Sequence, residues 1–88
     1  MAWTVRLSSD AGNQLSKLPR DRQEIIGKAI DRMIEDPFRG NVKPLKGRKW
    51  KGRYRKVVGR YRLIFTPFHH QQTAEISQIL IRAEKTYR

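Results

Sequence analysis

The sequence predicts an α+β fold, in which two N-terminal helices pack on one face of a small, four-stranded, antiparallel-rich sheet. Three observations predict it: an alternating apolar segment near the N-terminus, an apolar stripe at helical spacing after it, and three further β-favouring segments in the C-terminal half. The predicted element order is β-α-α-β-β-β. With 88 residues, we expect a single domain over residues 1–88.

The N-terminal half is predicted to hold one strand and two helices. Trp3, Val5 and Leu7 alternate with polar residues, which is typical of a strand over residues 2–8. Serine and aspartate side chains just after it can cap a short helix that ends before Pro19. The second helix is indicated by apolar residues that recur on one side, opposite a charged side. These apolar residues are Ile25, Ile26, Ala29, Ile30, Met33 and Ile34.

The C-terminal half is predicted to be a loop followed by three strands. The segment "EDPFRGNVKPLKG" contains two prolines and two glycines, which end the helix and favour a loop. An antiparallel hairpin follows, with strands over 53–58 and 61–68 joined by a Gly-Arg turn, and "HHQQ" makes the next connection. A last strand is predicted over 73–82. Because its apolar residues load both of its faces, we expect it to be an interior strand.

The chain is strongly basic, and its positive charge is concentrated in the middle. Lys and Arg number 20 against 8 Asp and Glu, which gives a formal charge of +12. Residues 37–74 hold eleven basic and no acidic side chains. Such a chain favours polyanions, namely nucleic acid, an anionic membrane surface or an acidic protein. Composition alone does not choose among these partners.

Composition also limits the chemistry and the compartment. The chain has no cysteine, which excludes disulfides and thiolate metal sites, and its two histidines fall in a predicted turn. We predict no metal and no cofactor. No apolar stretch approaches the roughly 20 residues of a membrane helix, and the polar residues near the N-terminus do not fit a signal peptide. We expect a soluble, cytoplasmic protein.

Strand alternation separates the aromatic side chains of the hairpin from its cations. Aromatic and aliphatic residues fall on one face, under the predicted helices. The opposite, open face is predicted to carry Lys51, Arg53, Arg55 and Arg62. Such cations can be ordinary solvated groups, but 38 consecutive residues without an acid favour a polyanionic partner. A phosphate backbone would supply the countercharge.

Three segments carry a resemblance to a known family. Together, "DPFRGNVKPLKG", "GRYRKVVGRYRLIF" and "ILIRAEKTYR" resemble the RelE/ParE superfamily of bacterial and archaeal type II toxins, and the resemblance covers nearly the whole chain. It implies a single RelE-like toxin domain with the same order of elements, and a cognate antitoxin protein as partner. In this superfamily, the RelE branch cleaves messenger RNA in the ribosomal A site, and the ParE branch poisons DNA gyrase.

The RelE branch is the better match, because its basic strand residues, its strand-end arginine and its C-terminal tyrosine all have counterparts. The catalytic residues that the resemblance implies are Arg55, Arg62, Arg82 and Tyr87. The predicted RNA-binding residues are Lys46, Arg48, Lys49, Lys51, Arg53, Lys56 and Arg60. Two positions depart from the family. Val57 stands where a second basic strand residue is usual, and Arg60 stands in place of an aspartate.

The resemblance and the charge together predict a metal-independent endoribonuclease that acts on the ribosome and inhibits translation. The ribose 2′-hydroxyl would attack the adjacent phosphate while arginines stabilise the developing charge. Tyr87 is then the base or a stacking platform for a nucleobase, and Arg82 clamps phosphate or acts as the acid. Ribosome and mRNA are partners besides the antitoxin. Two alternatives stay open: a ParE-like gyrase poison, and a nucleic-acid-binding module without activity.

Overall fold

The computed structural model describes residues 2–81, in which two helices cover one face of a five-stranded sheet. The helices are α1 (Ser9–Ser16) and α2 (Arg20–Glu35). The strands are β1 (Thr4–Leu7), β2 (Val42–Pro44), β3 (Tyr54–Val58), β4 (Tyr61–Phe68) and β5 (Thr73–Ile81). The α+β class is therefore confirmed. Within this range, neither helix has the length and apolar character needed to cross a membrane.

The sheet contains one strand more than predicted. Its spatial order is β1-β5-β4-β3-β2, with β1 parallel to β5 and every other pair antiparallel. The additional strand, β2, lies in the segment whose prolines and glycines predict a loop. Its three residues are too few to show a period of two, and Pro44 lacks a backbone donor, which only an edge strand tolerates. The prediction of four strands is therefore wrong by this short edge strand.

One hydrophobic core lies between the helices and the sheet. Ile26 and Met33 of α2 share a cluster with Leu63 and Phe65 of β4, and all four are fully buried. The predicted apolar stripe of α2 is confirmed at its centre, whereas its edge residue Ile25 stays exposed. Since both helices contribute to this single core, the opposite face of the sheet is left uncovered by them.

β5 contains a bulge that brings two isoleucines to the same face. Ile76 and Ile79 are three residues apart and would point to opposite faces of a regular strand. In the sheet they lie opposite Phe65 and Leu63, which both face the helices. Ser77 is the extra residue between them. The apolar residues of β5 load both of its faces as predicted, because Leu80 lies opposite Arg62 on the other face, and β5 is an interior strand.

Side chains from the beginning of the chain complete the hydrogen bonds of this bulge. The Ser8 hydroxyl donates to the Ser77 carbonyl at 3.0 Å, and as N-cap of α1 it accepts the N–H of Ala11 at 3.1 Å. The Gln14 side-chain oxygen accepts the N–H of Ile79 at 2.7 Å. The contacts that cap and dock α1 are thus the ones that satisfy the irregular backbone of β5.

The β3-β4 hairpin turns at Gly59-Arg60, as the sequence predicts. Gly59 has a φ of 57°, in the left-handed region that glycine adopts without strain. A two-residue turn with glycine first is typical of type II′, whose twist matches that of the flanking strands. The turn sets the register in which Val58 lies opposite Tyr61.

Aromatic side chains close the end of the core near the connection between α2 and β2. Phe38 stacks on His69, with ring centroids 5.7 Å apart, and meets Tyr54 edge-on at 5.3 Å. Trp3 meets both Phe38 and His69 edge-on. The position of Tyr54 and Phe65 within this packing agrees with their prediction as core residues.

The substitution Ser8→Ala is expected to lower the free energy of unfolding by about 1–2 kcal/mol, because it removes the N-cap of α1 and a hydrogen bond to Ser77. Ser16→Ala is the matched control, since the Ser16 hydroxyl bonds Asn13 at the exposed end of the same helix. The Ser16→Ala variant should lose less than about 0.5 kcal/mol of unfolding free energy. Urea unfolding measures both, and equal losses would contradict the role of Ser8.

Candidate nucleic-acid interface

The sheet face turned away from the helices, here called the open face, carries two of the predicted catalytic arginines. Arg55 of β3 lies opposite Ile64 of β4, and the next row on the same face pairs Val57 with Arg62. Arg55 and Arg62 are therefore diagonal neighbours on adjacent strands, a relation that corresponds to about 7–8 Å between Cα atoms. The structure brings these two residues together on one face, as strand alternation predicts.

Both arginines are half-buried, and they adjoin an apolar part of the open face. Ile64, next to both in the sheet, is only 5% exposed, although the helices lie on the other side. Long arginine side chains cover apolar surface with their stems, and the guanidinium Nε of Arg62 is itself buried. The two planar donor groups are thereby confined to one patch, an arrangement that suits the several oxygens of a phosphate.

The acidic side chain of this face lies away from the arginines. Glu75, the one acid between residues 37 and 81, is in β5, and its carboxylate is 3.7 Å from Nε of Arg6 in β1. Arg6 also lies over the ring of Phe68, 5.8 Å from its centroid. Because β3 and β4 contain no acid, neither strand balances the positive charge of its own side chains.

Residues 45–53, here called the basic loop, form a closed connection between β2 and β3. The N–H of Leu45 donates to the carbonyl of Arg53 at 2.9 Å and closes the loop. A short 3-10 turn, Arg48–Trp50, occupies its middle. The exposed cations of the loop are Lys46, Arg48, Lys49 and Lys51. Since the basic loop precedes β3 and Arg60 follows it, predicted RNA-binding cations lie at both ends of this strand.

β3 begins within one residue of the predicted strand over 53–58, but the alternation that places Lys51 on the open face extends back to residue 50. β3 starts at Tyr54, whereas Trp50 ends the 3-10 turn and Lys51 follows it. Gly52, with a φ of 80°, interrupts the extended backbone before the strand. Strand alternation therefore does not extend to Lys51, which is an exposed residue of the basic loop. Arg53 stands directly before β3, half-buried, with its guanidinium carbon 5.6 Å from the Trp50 ring centroid.

Lys56 lies on the helix side of the sheet, apart from the other predicted RNA-binding residues. It is 7% exposed, and its Nζ donates to the carbonyl of Arg39 at 2.6 Å. Burial lowers the pKa of the Lys56 ammonium, Asp36 partly opposes this effect, and Arg32 lowers the pKa further. This placement corrects the prediction that Lys56 belongs with the exposed RNA-binding cations. The period of two already assigns it to the same face as the core residue Tyr54.

The remaining predicted catalytic residues, Arg82 and Tyr87, lie outside the described residues. Val57, at the position where a basic residue was expected from the family, is half-buried on the open face opposite Arg62. Among residues 2–81, no three His, Asp or Glu side chains gather in the manner of a metal site. The described part of the site therefore consists of guanidinium and ammonium groups on an apolar floor.

Solved structures of toxins share this arrangement of helices and strands. An archaeal RelE-RelB complex from Pyrococcus horikoshii OT3 matches with a TM-score of 0.80 and 21% identity, over 96% of this chain and 99% of that chain. The RelBE2 toxin-antitoxin complex from Mycobacterium tuberculosis matches with a TM-score of 0.82 and 26% identity, over 93% and 100%. A YoeB/ParE toxin from Agrobacterium tumefaciens matches with a TM-score of 0.75 and 17% identity, over 91% of this chain and 99% of that chain.

These likenesses show that the chain has the fold of the RelE/ParE superfamily, as its three recognisable segments predict. No family model matches the sequence, and no curated protein matches it. The relation is therefore visible in the three-dimensional arrangement rather than in overall sequence identity, which is 26% or less for the structures described above.

Lys56→Met is expected to alter the pH dependence of stability at alkaline pH. The lowered pKa of folded Lys56 means that the unfolded chain binds more protons between that pKa and 10.5, so the natural chain gains stability as pH rises through this window. At pH values below this range, folded Lys56 is protonated, and the free-energy cost of burying its ammonium group is fully present. The variant should therefore be at least as stable as the natural chain at pH 7, and its relative stability should fall as pH approaches 10.5.

Urea unfolding of both proteins at a series of pH values measures this difference. Lys28→Met on the exposed surface of α2 is the matched control, and its difference from the natural chain should not change in the same way. A stability difference for Lys56→Met that is constant with pH would contradict the assignment.

Proposed function

We propose that this protein is the toxin of a type II toxin-antitoxin system and that it cleaves messenger RNA on the ribosome. The observation that carries the proposal is the pair Arg55 and Arg62 on one face of two adjacent strands that contain no acid. Two neighbouring guanidinium groups match the oxygens of one phosphodiester. The basic loop and Arg60 extend the cationic surface at the two ends of β3 and would hold the flanking RNA backbone.

The fold and the charge support the toxin role and its partners. The similar structures are toxins, two of them in complex with antitoxins. A cognate antitoxin with an acidic segment would cover part of the +12 charge of this chain. When the antitoxin is removed, the exposed cations become available to ribosomal and messenger RNA. The proposed place of action is therefore the cytoplasm.

In the proposed reaction, the ribose 2′-hydroxyl attacks the adjacent phosphorus and the 5′-oxygen of the next nucleotide leaves. A base takes the 2′-hydroxyl proton, a 2′,3′-cyclic phosphate forms, and an acid gives a proton to the departing oxygen. Arg55 and Arg62 stabilise the negative charge that grows on the non-bridging oxygens. From the family resemblance, Tyr87 is the base or stacks on a nucleobase, and Arg82 is the acid or clamps the phosphate.

The composition of the described site supports the proposed dependence on the ribosome. Neither β3 nor β4 contains a carboxylate or a histidine that would serve as a general base beside the arginine pair. A site of this kind gains most from RNA that is already held in a reactive geometry. The decoding centre of a ribosome holds mRNA in a fixed path, and the proposal therefore specifies ribosome-bound mRNA as substrate.

Arg55→Gln and Arg62→Gln are each expected to lower the rate of mRNA cleavage about 100-fold, because each removes a charged donor to the phosphate in the transition state. Mapping of 3′ ends after incubation with programmed ribosomes measures the rate. Lys28→Gln on the exposed surface of α2 is the control for loss of one positive charge, and it should cleave at the natural rate.

Variants at the two positions outside the described residues test the rest of the catalytic set. Arg82→Ala and Tyr87→Phe should lower cleavage and relieve growth arrest while the unfolding transition stays unchanged. Intact mRNA at a dose of protein that stops growth would contradict the proposal.

Val57 favours a second candidate, a ParE-like gyrase poison, because it replaces a cation in the strand that carries Arg55. Co-purification with gyrase, double-strand DNA breaks and undisturbed translation would identify this function. Binding to RNA that weakens steeply with salt, without any cleavage, would instead identify a nucleic-acid-binding module.

A further inference from the structure

A pocket of about 330 Å³ opens on the helix side of the sheet, behind the open face. Its walls come from α2, from the connection that follows it and from the end of β3 with the adjoining turn. Ala29 and Val58 contribute apolar surface, while Arg32, Arg39 and Lys56 contribute positive charge. The pocket is therefore an apolar cavity with three cations in its lining.

The most deeply placed cation, Lys56, has little to balance its charge. It is 7% exposed, and the hydrogen bond of its Nζ goes to the Arg39 carbonyl. Within residues 2–81 the ion pairs join Arg6 to Glu75 and Arg22 to Asp21, so none of the three pocket cations has a carboxylate within 4.0 Å. Buried charges are normally paired.

The carboxylate of Asp36 acts on Lys56, but it does not neutralise the positive charge of the pocket. It raises the pKa of Lys56, but less strongly than burial lowers it. Its Oδ1 accepts the backbone N–H of Phe38 at 3.0 Å, which engages the carboxylate in the connection after α2. Three positive groups against one negative group give the pocket an excess of positive charge.

Gly40 brings the main chain close to the buried ammonium. A Cβ atom at this position would lie 3.5 Å from Lys56 Nζ, and its φ of 89° is one that glycine adopts readily. The backbone of the pocket rim therefore approaches Lys56 closely on one side. A small anion entering from the pocket would meet the remaining N–H groups of the ammonium, which has three donors in all.

We propose that this pocket receives the carboxylate side chain of an acidic segment from a partner protein. A glutamate joins an anionic head to a short aliphatic stem, and the pocket joins cations to an apolar wall. A phosphodiester chain fits it less well, because nucleic acid presents a run of charges that favours an open cationic surface. The identity of the partner as an antitoxin rests on the proposed function, whereas the carboxylate site itself does not.

The site lies apart from the RNA-binding surface because Arg55 and Lys56 are consecutive residues of one strand. Arg55 faces the open side of the sheet, and Lys56 faces the helices. A partner anchored in the pocket would leave the arginine pair uncovered at that contact. The partner segment would then be held at the pocket by one side chain and would cover the RNA-binding surface, if at all, with other residues.

The test is an amide chemical-shift titration of isotope-labelled full-length protein with N-acetyl-L-glutamate N-methylamide. Saturable shifts are expected at Gly40, Asn41 and Gly59, which line the pocket. N-acetyl-L-glutamine N-methylamide has nearly the same shape without the charge and should bind at least about tenfold more weakly. Equal binding of the two compounds, or no saturable shift with glutamate, would overturn the proposal.

Variants show whether the pocket cations are responsible. Lys56→Met keeps a long apolar side chain, and Arg39→Gln changes an exposed residue, so each should fold while its glutamate affinity falls about tenfold. Lys43→Met is the matched control on exposed β2, across the sheet from the pocket, and should bind as the natural chain does. Undiminished affinity in both pocket variants would also overturn the proposal.

A third probe distinguishes a carboxylate site from a phosphate site. A single-stranded RNA of about six nucleotides should shift amides of the basic loop and of the open face, and not those of Gly40 and Asn41. Tighter saturable binding of this RNA at the pocket amides would overturn the assignment to a protein partner. Because the titrations measure neither cleavage nor growth arrest, their failure leaves the proposed nuclease activity to be judged by the ribosome experiment alone.

Discussion

The contact between the beginning of the chain and the bulge in β5 is the constraint on which the rest of the structure depends. Without Ser77 as an extra residue, Ile76 and Ile79 would point to opposite faces, and one of them would leave the core. The irregular ladder leaves a carbonyl and an N–H to be satisfied, and Ser8 and Gln14 satisfy them. β5 then lies between β1 and β4, and through β4 it positions Arg62 on the open face.

Two consecutive residues of β3 show how one strand supports two opposite environments. Arg55 stays half-buried at the open surface, where water screens its charge, whereas Lys56 is buried against the helix side. The strand thus divides the positive charge of the chain between a surface and a cavity. Like charges held close together destabilise the folded state. Any anion bound on either side of β3 would therefore stabilise the fold through mass action.

The parts of the fold that follow simple periodicity could be predicted from the sequence. Alternation in β1 and β4, the apolar stripe of α2 and the Gly59-Arg60 turn all depend on neighbours along the chain, and the structure agrees with them. β2 could not be predicted, because a three-residue edge strand is defined by its pairing with β3. The bulge in β5 likewise depends on residues 65 or more positions away.

The candidate site likewise contains some placements that could be predicted from the sequence and others that could not. The joint placement of Arg55 and Arg62 follows from alternation alone, because both strands are regular at these positions. Alternation does not extend to Lys51, because Gly52 interrupts the extended backbone before β3. The pocket cations Arg32 and Arg39 carried no signal in the sequence, since only tertiary packing brings α2 and its following connection next to Lys56.

The parallel pairing of β1 with β5 gives the chain a particular order of assembly. Thr4 lies beside Thr73, so β1 has no partner during synthesis until β5 has been made. Contacts of such long separation close late in folding and make it slow. A newly synthesised molecule therefore passes through a period in which the hairpin of β3 and β4 can form but the sheet is incomplete. Since Arg55 and Arg62 both lie on this hairpin, they can meet on one face before β1 and β5 complete the sheet.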